Sequence, residues 1–419
     1  MDSRSDRDLD LVLLGATGFV GRLTTQHLAH HAPGGLRLAL AGRSPERLER
    51  LRNELGPAAA GWDLVTVDVT DDVALRALVA RTRVVASTVG PYLRYGLPLV
   101  QACADLGTDY ADLTGETLFA RRSIDACHLR AQQTGARIVH SCGFDSVPSD
   151  LGVGLLAARV AAEGEGQLRK TVLHVRSMRG GISGGTIDSL RQQVIELKDH
   201  PGLRTVVSDP SCLVAGVDPP AATHTSVPSS TLRTRLQRRL PIRRAADGSW
   251  QTPFVMGGYN RQIVLRTNAL SDYAYGPMFH YREVVDTGTG ISGAVGAAAL
   301  SALSGALTAG MWFRPTRTVL DRLLPDPGEG PSERTRRRGR FLVEVEAETT
   351  GGAVGRTRIG ADLDPGYAGT AVMLGESALA LALDDLPHRS GVLTPMSAMG
   401  EPLADRLRDQ GFTIETELT

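Results

Sequence analysis

The chain has 419 residues, a formal net charge of zero at pH 7 and four cysteines without C-x-x-C spacing. Its length predicts two or three domains with an ample core, and its neutral balance argues against a nucleic-acid-binding protein, because such proteins carry an excess of basic charge. The N-terminus is rich in Asp and Arg and carries no secretory signal, so we expect a reduced, cytoplasmic compartment.

The first apolar run, residues 8–14, predicts a buried strand, and a glycine-spaced turn follows it directly. The spacing is G-x-x-G-x-x-G, which departs from the commoner G-x-G-x-x-G of dinucleotide-binding turns. In such turns one glycine permits the sharp turn, one lets the backbone approach a diphosphate, and one lets the next helix pack closely. The N-terminus of that helix offers N–H donors to the phosphates. We therefore expect the cofactor to contact Gly15, Ala16, Thr17, Gly18, Phe19, Val20 and Gly21.

The second predicted strand, residues 36–40, leads to Arg43. In NAD-binding units an acidic residue near this position binds the ribose 2′-hydroxyl, but no Asp or Glu occurs between Asp10 and Glu46. A guanidinium suits a 2′-phosphate, so the sequence predicts NADP(H). The alternative is that Arg43 begins the next helix as a solvated charge. The residues expected to contact the cofactor at this edge are Arg43, Ser44 and Asp68.

Strands and helices alternate through the first third of the chain, which predicts an α/β fold with a Rossmann-like doubly wound parallel sheet. The further strands are predicted at residues 63–68, 83–87, 109–110 and 137–140, and the intervening helices at 45–55, 71–80, 96–106 and 118–134.

After residue 146 the pattern changes to that of a second α+β domain. Strands are predicted at residues 170–175, 279–285, 340–348 and 354–359, the last two as a hairpin, with a helix at 186–197 and an irregular stretch over 201–249. We expect a nucleotide-binding domain over residues 1–150 and an α+β domain over 151–369 that shapes the substrate cleft. Helices predicted at 370–386 and 397–408 are expected to pack back on the first domain.

Three polar loops follow the fourth, fifth and sixth predicted strands, where ligands bind in doubly wound sheets. They span residues 87–92, 110–116 and 140–148. From the first of these loops we expect cofactor contacts by Ser87, Thr88, Val89, Gly90 and Pro91.

Five motifs of the chain occur together in one known family. They are Gly15-Ala16-Thr17-Gly18, Ala41-Gly42-Arg43, Thr88-Val89-Gly90-Pro91-Tyr92, and the runs 109–116 and 142–150. With them the chain resembles the saccharopine-dehydrogenase-like oxidoreductases, and within that group it is most similar to the trans-acting enoyl reductases of actinobacterial polyketide-lipid assembly. The likeness continues through residues 257–260, 268–270 and 391–395.

The resemblance implies NADPH-dependent reduction of a carbon–carbon double bond in a lipid or polyketide intermediate. That substrate would be bound to an acyl carrier domain or to coenzyme A, and the partner would be a polyketide synthase without its own reductase. Two alternatives stay open: imine or amino-acid chemistry of the saccharopine type, and a non-catalytic NADP-binding scaffold on membranes or lipid bodies. A homodimer also stays open.

Enoyl reduction needs a hydride at the β-carbon, a hydrogen-bond donor to the enolate oxygen and a proton for the α-carbon. Tyr92 and Tyr110 are candidate donors to the oxygen, and Glu116 or Asp145 can relay a proton if burial raises its pKa. Each has a structural alternative: Tyr110 is then a core residue, Glu116 caps the following helix, and Asp145 caps the helix beyond Pro148.

His27, His30 and His31 have a helical spacing that can bind metal, but no carboxylate or thiol lies near them in sequence, so we expect no metal. At the end of a helix, partly protonated imidazoles suit the negative end of the dipole.

Residues 291–313 contain no charged side chain and are long enough to cross a bilayer, yet Ala, Gly and Ser dominate them. We interpret the segment as a buried or interface helix, with peripheral membrane contact as the alternative. Two basic clusters are interpreted as solvated surface, or as docking sites for an acidic carrier domain or anionic lipid. Their members are Arg233, Arg235, Arg238, Arg239, Arg243 and Arg244, and Arg334, Arg336, Arg337, Arg338 and Arg340.

Overall fold

A computed structural model describes residues 7–180, 184–217, 242–277, 279–312, 333 and 338–419. Its strands are β1 (Leu9–Leu14), β2 (Leu38–Gly42), β3 (Asp63–Thr66), β4 (Thr82–Ser87), β5 (Asp109–Asp112), β6 (Arg137–Val139), β7 (Leu168–Arg179), β8 (Arg243–Arg244), β9 (Ser249–Pro253), β10 (His280–Thr289), β11 (Arg340–Thr349), β12 (Val354–Ala361), β13 (Gly391–Leu393) and β14 (Thr413–Leu418).

Its α-helices are α1 (Phe19–His31), α2 (Pro45–Leu55), α3 (Asp72–Ala80), α4 (Tyr92–Leu106), α5 (Thr117–Thr134), α6 (Val147–Ala162), α7 (Gly184–Asp199), α8 (Leu203–Ser208), α9 (Gly257–Leu270), α10 (Gly290–Trp312), α11 (Thr370–Leu383), α12 (Pro395–Ala398) and α13 (Glu401–Asp409).

The first sheet is parallel throughout and has the strand order β13-β6-β5-β4-β1-β2-β3. The chain winds outward from β1 through β2 and β3, and then from β4 through β6 on the other side. The predicted doubly wound sheet is thereby confirmed, and the strand order reverses between β1 and β4. Leu11, Val12 and Leu13 are all fully buried, as expected for a strand covered by helices on both faces.

The second sheet has the order β14-β12-β11-β7-β10-β9-β8, and among its described pairs β7 and β10 alone run parallel. Its strands alternate between an apolar and a charged face. Leu173 and Val345 face the core, where α6 packs so closely that a Cβ on Gly152 would lie 2.9 Å from Val345. On the opposite face Arg176 forms ion pairs with Glu344 and Asp286.

The C-terminal part of the chain contributes to both sheets. α11 packs against α1 and against β4 and β5, β13 adds an edge strand beside β6, and β14 pairs with β12 in the second sheet. The prediction for this region contained the helices but neither strand. β13 has three residues and β14 alternates polar residues with few apolar ones, so neither carries a strong strand pattern.

Some boundaries differ from prediction. α4 begins at Tyr92, four residues before the predicted helix, and the stretch 201–249 contains α8 and β8 in its described parts. Arg233, Arg235, Arg238 and Arg239 lie outside the described residues, as do Arg334, Arg336 and Arg337. The remaining members of the two clusters are exposed: Arg243, Arg244, Arg338 and Arg340.

The uncharged segment forms α10. Of the predicted placements, a buried helix is wrong, and an interface helix stays a prediction. Ile291 is 85% exposed, Val295 63% and Leu303 58%. Within the described ranges, the helical run long and apolar enough to cross a membrane is Pro365–Leu383, which is 78% buried inside the protein. That run is therefore placed as a core helix.

Candidate active site

The glycine-spaced turn connects β1 to α1 and requires glycine at two positions. Gly15 has a φ of +84°, and a Cβ on it would lie 2.6 Å from the Thr88 Oγ1 atom. A Cβ on Gly21 would lie 2.1 Å from the carbonyl oxygen of Gly15, so glycine there lets α1 approach the turn. The Thr88 hydroxyl donates to that same carbonyl oxygen at 3.0 Å. The turn after β1 and the loop after β4 thus form one cradle at the point where the strand order reverses.

The N-terminus of α1 opens into this cradle. Its N-cap residue, Gly18, is exposed and supplies no side-chain cap, and the first turn contains no acidic residue. A helix N-terminus of this kind presents backbone N–H groups and the positive end of its dipole to a diphosphate. Thr88, Val89 and Gly90 border the opening and are partly or fully exposed. These features fit the predicted dinucleotide.

Arg43 follows the last residue of β2 and is exposed. Ser44 caps α2, accepting a hydrogen bond from the Arg47 N–H at 3.3 Å, and its hydroxyl donates to Glu46 at 2.7 Å. Hydrogen bonds from Thr70 lower the pKa of Asp68, and the nearby Arg43 lowers it further. The guanidinium therefore stands at the predicted position for a 2′-phosphate, with one carboxylate close by.

Tyr92 is buried at the start of α4. Its hydroxyl donates to the Ser87 carbonyl oxygen at 3.0 Å and accepts from the Leu113 N–H at 3.2 Å. Burial raises the pKa of this phenol well above its usual value. The single hydroxyl proton is thus used to join the ends of β4 and β5.

Glu116 is also buried, and its carboxylate binds the N-terminus of α4. One oxygen accepts from the Tyr92 N–H at 3.0 Å and the other from the Leu93 N–H at 2.7 Å. The sequence placed this residue before α5 and offered a cap on that helix as the alternative role. The structure makes it a cap on the preceding helix, because the loops after β4 and β5 are neighbours in space.

Tyr110 is fully buried in the core, and its hydroxyl has no hydrogen-bond partner within the described part of the chain. Its ring lies edge-on to His140, with 6.0 Å between ring centroids. Burial raises the pKa of the phenol far above its usual range. The side chain lies on β5 behind the strand-end loops.

Asp112 organises the loops after β5 and β6. One carboxylate oxygen accepts from the N–H groups of Thr114 and Ser141, each at 3.0 Å, and the other lies 2.8 Å from His140 Nδ1. His140 Nε2 lies 2.8 Å from the Ser123 hydroxyl. The three side chains have the order of a catalytic triad, but all are buried beneath the loops. Because a substrate cannot reach Ser123, we assign this network to loop positioning.

Ser141 connects the third loop to the second domain. Its φ of +66° is unusual for a residue with a side chain. The Ser141 hydroxyl donates to the Thr114 carbonyl oxygen at 2.7 Å and lies 2.6 Å from the Tyr259 hydroxyl on α9. Since Ser141 has one proton and Thr114 offers only an acceptor, Tyr259 must donate to Ser141. Both hydroxyl protons are therefore used within the protein.

Asp145 lies in the same loop, just before α6, and is partly exposed. It forms no hydrogen bond with any residue that the structure describes, and burial raises the pKa of its carboxyl group to about 6. Its charge acts on Tyr259 and on Glu283 of β10, which places it where the two domains meet. About half of the Asp145 carboxyl groups are therefore protonated at pH 6 and about a tenth at pH 7.

Glu283 is a buried carboxyl group that the sequence prediction missed. It accepts hydrogen bonds from the Tyr281 hydroxyl at 2.7 Å and the Asn260 amide at 2.9 Å, while Asn260 also bonds Ser146 and Ser149. Burial raises the pKa of the Glu283 carboxyl group. This network fixes α9 against α6 beside Asp145. Tyr281 and Asn260 lie 2 and 23 residues from Glu283, but Asn260 connects it to Ser146 and Ser149, 114 and 111 residues farther back, and the sequence does not show that connection.

Of the three histidines of α1, His27 packs against the neighbouring helix α11, whereas His30 and His31 are exposed. His27 Nε2 lies 2.7 Å from Glu376 on α11, and its ring stacks on that of His31 at 4.5 Å. Across the described residues there is no group of three side chains arranged to hold a metal ion. A cavity of about 570 Å³ lies at the opposite edge of the first sheet, beside Arg37 and Trp62, and so is separate from the cradle.

Comparisons with known proteins agree with this geometry. Residues 11–139 match the family model of the saccharopine dehydrogenase NADP binding domain. The chain is 44% identical to a trans-acting enoyl reductase of Mycobacterium tuberculosis, covering 99% of both chains. It is 43% identical to a trans-acting enoyl reductase of Mycobacterium ulcerans, covering 98% of both.

A solved structure supports the same fold over the full length. Saccharopine dehydrogenase (L-Glu forming) of Saccharomyces cerevisiae superimposes with a TM-score of 0.53 at 15% identity, over 98% of this chain and 99% of that one. The chain therefore belongs to the trans-acting enoyl reductase family, with an NADP-binding domain of the saccharopine dehydrogenase type.

Proposed function

We propose that this NADP-dependent oxidoreductase reduces the carbon–carbon double bond of an enoyl thioester, and that Asp145 delivers the proton to the α-carbon. The substrate is a lipid or polyketide intermediate on an acyl carrier domain or on coenzyme A. The observation that carries the proposal is Asp145, a partly exposed residue at the carboxyl edge of the nucleotide-binding sheet, whose carboxyl group has its pKa raised to about 6 by burial.

The cradle and Asp145 lie along one line of strand ends. Gly15 follows β1, Thr88 follows β4, Leu113 follows β5 and Asp145 lies in the loop after β6. Because these strands are neighbours, the line from the cradle to the β6 loop covers three strand spacings, about 14 Å. Bound at the cradle, the reduced nicotinamide cofactor supplies the hydride for the β-carbon.

The hydrogen bonds and burial of the four candidate side chains favour Asp145 as the proton donor. The Tyr92 hydroxyl already donates to a backbone carbonyl group, and both oxygens of Glu116 accept N–H groups of α4. The Tyr110 hydroxyl is fully buried behind the loops. A general acid works best with a pKa near the working pH, and burial brings the Asp145 carboxyl group into that range.

The second domain covers the strand-end loops with apolar side chains. A Cβ on Gly115 would lie 3.0 Å from the methyl group of Met256, so the Met256 side chain lies directly over this loop. The residue before Met256 in the chain, Val255, is 65% exposed. Of the chain's two lysines, Lys170 is exposed and Lys198 is partly buried on α7. An apolar cover suits an acyl chain better than the charged groups of an amino-acid substrate.

The partner that we propose is a polyketide synthase that presents the intermediate on its carrier domain. The names of the relatives and the nearly complete coverage of their chains support this proposal.

The direct test is NADPH oxidation by the purified protein with an enoyl thioester on a carrier domain. We expect turnover by the wild type and a loss of about 10²–10⁴-fold in kcat for Asp145→Asn, with NADPH affinity unchanged. Asp362→Asn, which removes a charge from an exposed carboxylate, is the matched control and should keep full activity.

The outcomes separate the parts of the proposal. Wild-type turnover with an unimpaired Asp145→Asn variant would leave the reaction standing and remove Asp145 as the acid. Turnover with an amino acid and an oxo acid, but none with the enoyl thioester, would move the protein to saccharopine-type chemistry.

A further inference from the structure

α10 exposes large apolar side chains along a helix that carries no charge. Its 23 residues carry no charge, and the exposed large side chains are Ile291, Val295, Leu300 and Leu303. Between residues 291 and 306, exposed residues lie on most sides of the helix, so α10 projects from the protein surface as a ridge. A contiguous uncharged surface of this kind marks a contact site.

A narrow strip of small residues attaches α10 to the sheet. A Cβ on Gly293 would lie 2.2 Å from the Gly288 carbonyl oxygen, and one on Gly296 would lie 3.4 Å from Thr287. One hydrogen bond of 2.6 Å joins the Ser301 and Thr252 hydroxyls. The large apolar side chains are therefore not needed for this packing and point away from the sheet.

The shape of the ridge decides between three occupants. A single acyl chain needs a concave site, and α10 is convex. A second copy of the helix would cover about 35 Å by 10 Å, roughly 350 Å² per partner, which is below the roughly 800 Å² of a stable interface. A lipid surface requires neither a concave site nor an interface of that area, and it accepts a convex apolar helix at the boundary between headgroups and acyl chains.

The charge beside α10 is of the right sign for an anionic surface. Arg244 pairs with Trp250 across β8 and β9, so both side chains lie on the same face of the sheet. Trp250 contacts the position of Gly293, which places α10 on that face too. Arg244 is exposed. Anionic headgroups attract a basic side chain placed next to an inserted helix.

We propose that α10 attaches this protein to the surface of an anionic lipid membrane. The helix runs back along β9, from Gly293 beside Trp250 to Ser301 beside Thr252. β9 ends at Pro253, and Val255 and Met256 follow it closely in the chain. Membrane contact therefore brings the apolar cover of the candidate active site to the lipid surface.

Vesicle flotation of the full chain tests the proposal. Wild-type protein should float with vesicles of phosphatidylcholine and phosphatidylglycerol, and less with phosphatidylcholine alone. Val295→Asp/Leu303→Asp should reduce the floated fraction at least 10-fold. Val73→Asp is the matched control, because Val73 is 79% exposed on α3, and it should float like the wild type.

Leu300→Ala/Leu303→Ala removes apolar surface without adding charge, and it should reduce flotation while NADPH affinity and melting temperature stay unchanged. Wild-type protein that remains at the bottom with both vesicle types overturns the proposal. The proposal also fails if the aspartate variants float like the wild type. It fails likewise if the wild type does not bind vesicles and light scattering shows that it is a dimer which the aspartate substitutions convert to a monomer.

Discussion

Asp145 is a single carboxyl group on which the proposed proton transfer and folding stability make opposite demands. Its pKa is raised from 3.8 to about 6 by burial, so the folded protein binds the proton more tightly than the unfolded chain. The stability cost of ionising it is absent below pH 3.8 and complete above about pH 6. The residue that suits acid catalysis thus weakens the fold at neutral pH.

The direction of this pKa shift predicts the results of two measurements on Asp145→Asn. Wild-type kcat/KM should fall as the pH rises through about 6, since the protonated carboxyl group is the acid, and the variant should lack that limb. At pH 7 the variant should be more stable by about 1–3 kcal/mol, an advantage that disappears as the pH is lowered toward 4. Urea unfolding across this pH range checks the second part, and a variant less stable than wild type at pH 7 would contradict it.

Residue roles were predictable from sequence only where neighbours along the chain decide them. Gly21 is of this kind, because the Gly15 carbonyl group that it contacts lies six residues earlier, whereas Gly15 also contacts Thr88, 73 residues later. The partner of Glu116 was not, since the N–H groups that it binds lie 23 and 24 residues earlier, on α4. Asp145 was selected for its place after a strand, but its raised pKa comes from burial in the folded protein, which the sequence does not show.

The first helix acts as an element through its contact with the turn that precedes it. α1 can offer its N-terminus to a diphosphate only while Gly21 allows it to lie against the Gly15 carbonyl group. At the other end of the same helix, His27 bonds to Glu376 of α11. The position of α1 is therefore fixed at both ends by contacts that tolerate little change.

Gly21→Ala should displace α1 from the cradle, because its Cβ would lie 2.1 Å from a backbone oxygen. We expect the Kd for NADPH to rise at least 10-fold and the free energy of unfolding to fall by about 1–3 kcal/mol. Gly34→Ala, at a position with no atom within 4 Å of the added Cβ, is the control and should change neither. Cofactor fluorescence and thermal unfolding give both values, and unchanged NADPH binding by Gly21→Ala would place the diphosphate elsewhere.

Elements were predictable where the hydrophobic period is long and were missed where tertiary contacts decide. The β–α alternation of the first sheet was predicted because each strand is a compact apolar run. α10 was predicted as a helix but its exposure was not, because an uncharged helix has the same composition in a core as on a surface. The three residues of β13 become a strand only because β6 offers them an open edge.

At the scale of the whole molecule, the last 29 residues hold both sheets together. β13 completes the first sheet, β14 completes the second, and α12 and α13 lie between them in the chain. Asp150 of α6 reinforces this join by accepting hydrogen bonds from Thr267 and from the Met396 N–H, the latter at 2.8 Å. The two sheets therefore share the end of the chain rather than folding from separate segments.

Two truncations distinguish the contributions of these strands. Removal of residues 413–419 takes away β14 from the second sheet, so we expect a lower melting temperature with NADPH binding retained. Removal of residues 391–419 takes edge strands from both sheets, and we expect insoluble protein without NADPH binding. A 391–419 truncation that still binds NADPH with wild-type affinity would show that the first domain is complete without β13.

The position of β13 has a consequence for synthesis on the ribosome. About 250 residues separate Val139, the end of β6, from Gly391, the start of β13. At roughly 5–20 residues per second, that interval takes about 13–50 s, during which β6 has an unpaired edge. The nucleotide-binding domain is encoded first, yet it gains its last strand only at residues 391–393, so this protein must complete its folding after nearly all of the chain has been made. Protection of that edge, by a chaperone or by rapid translation, then becomes part of what determines the yield of active protein.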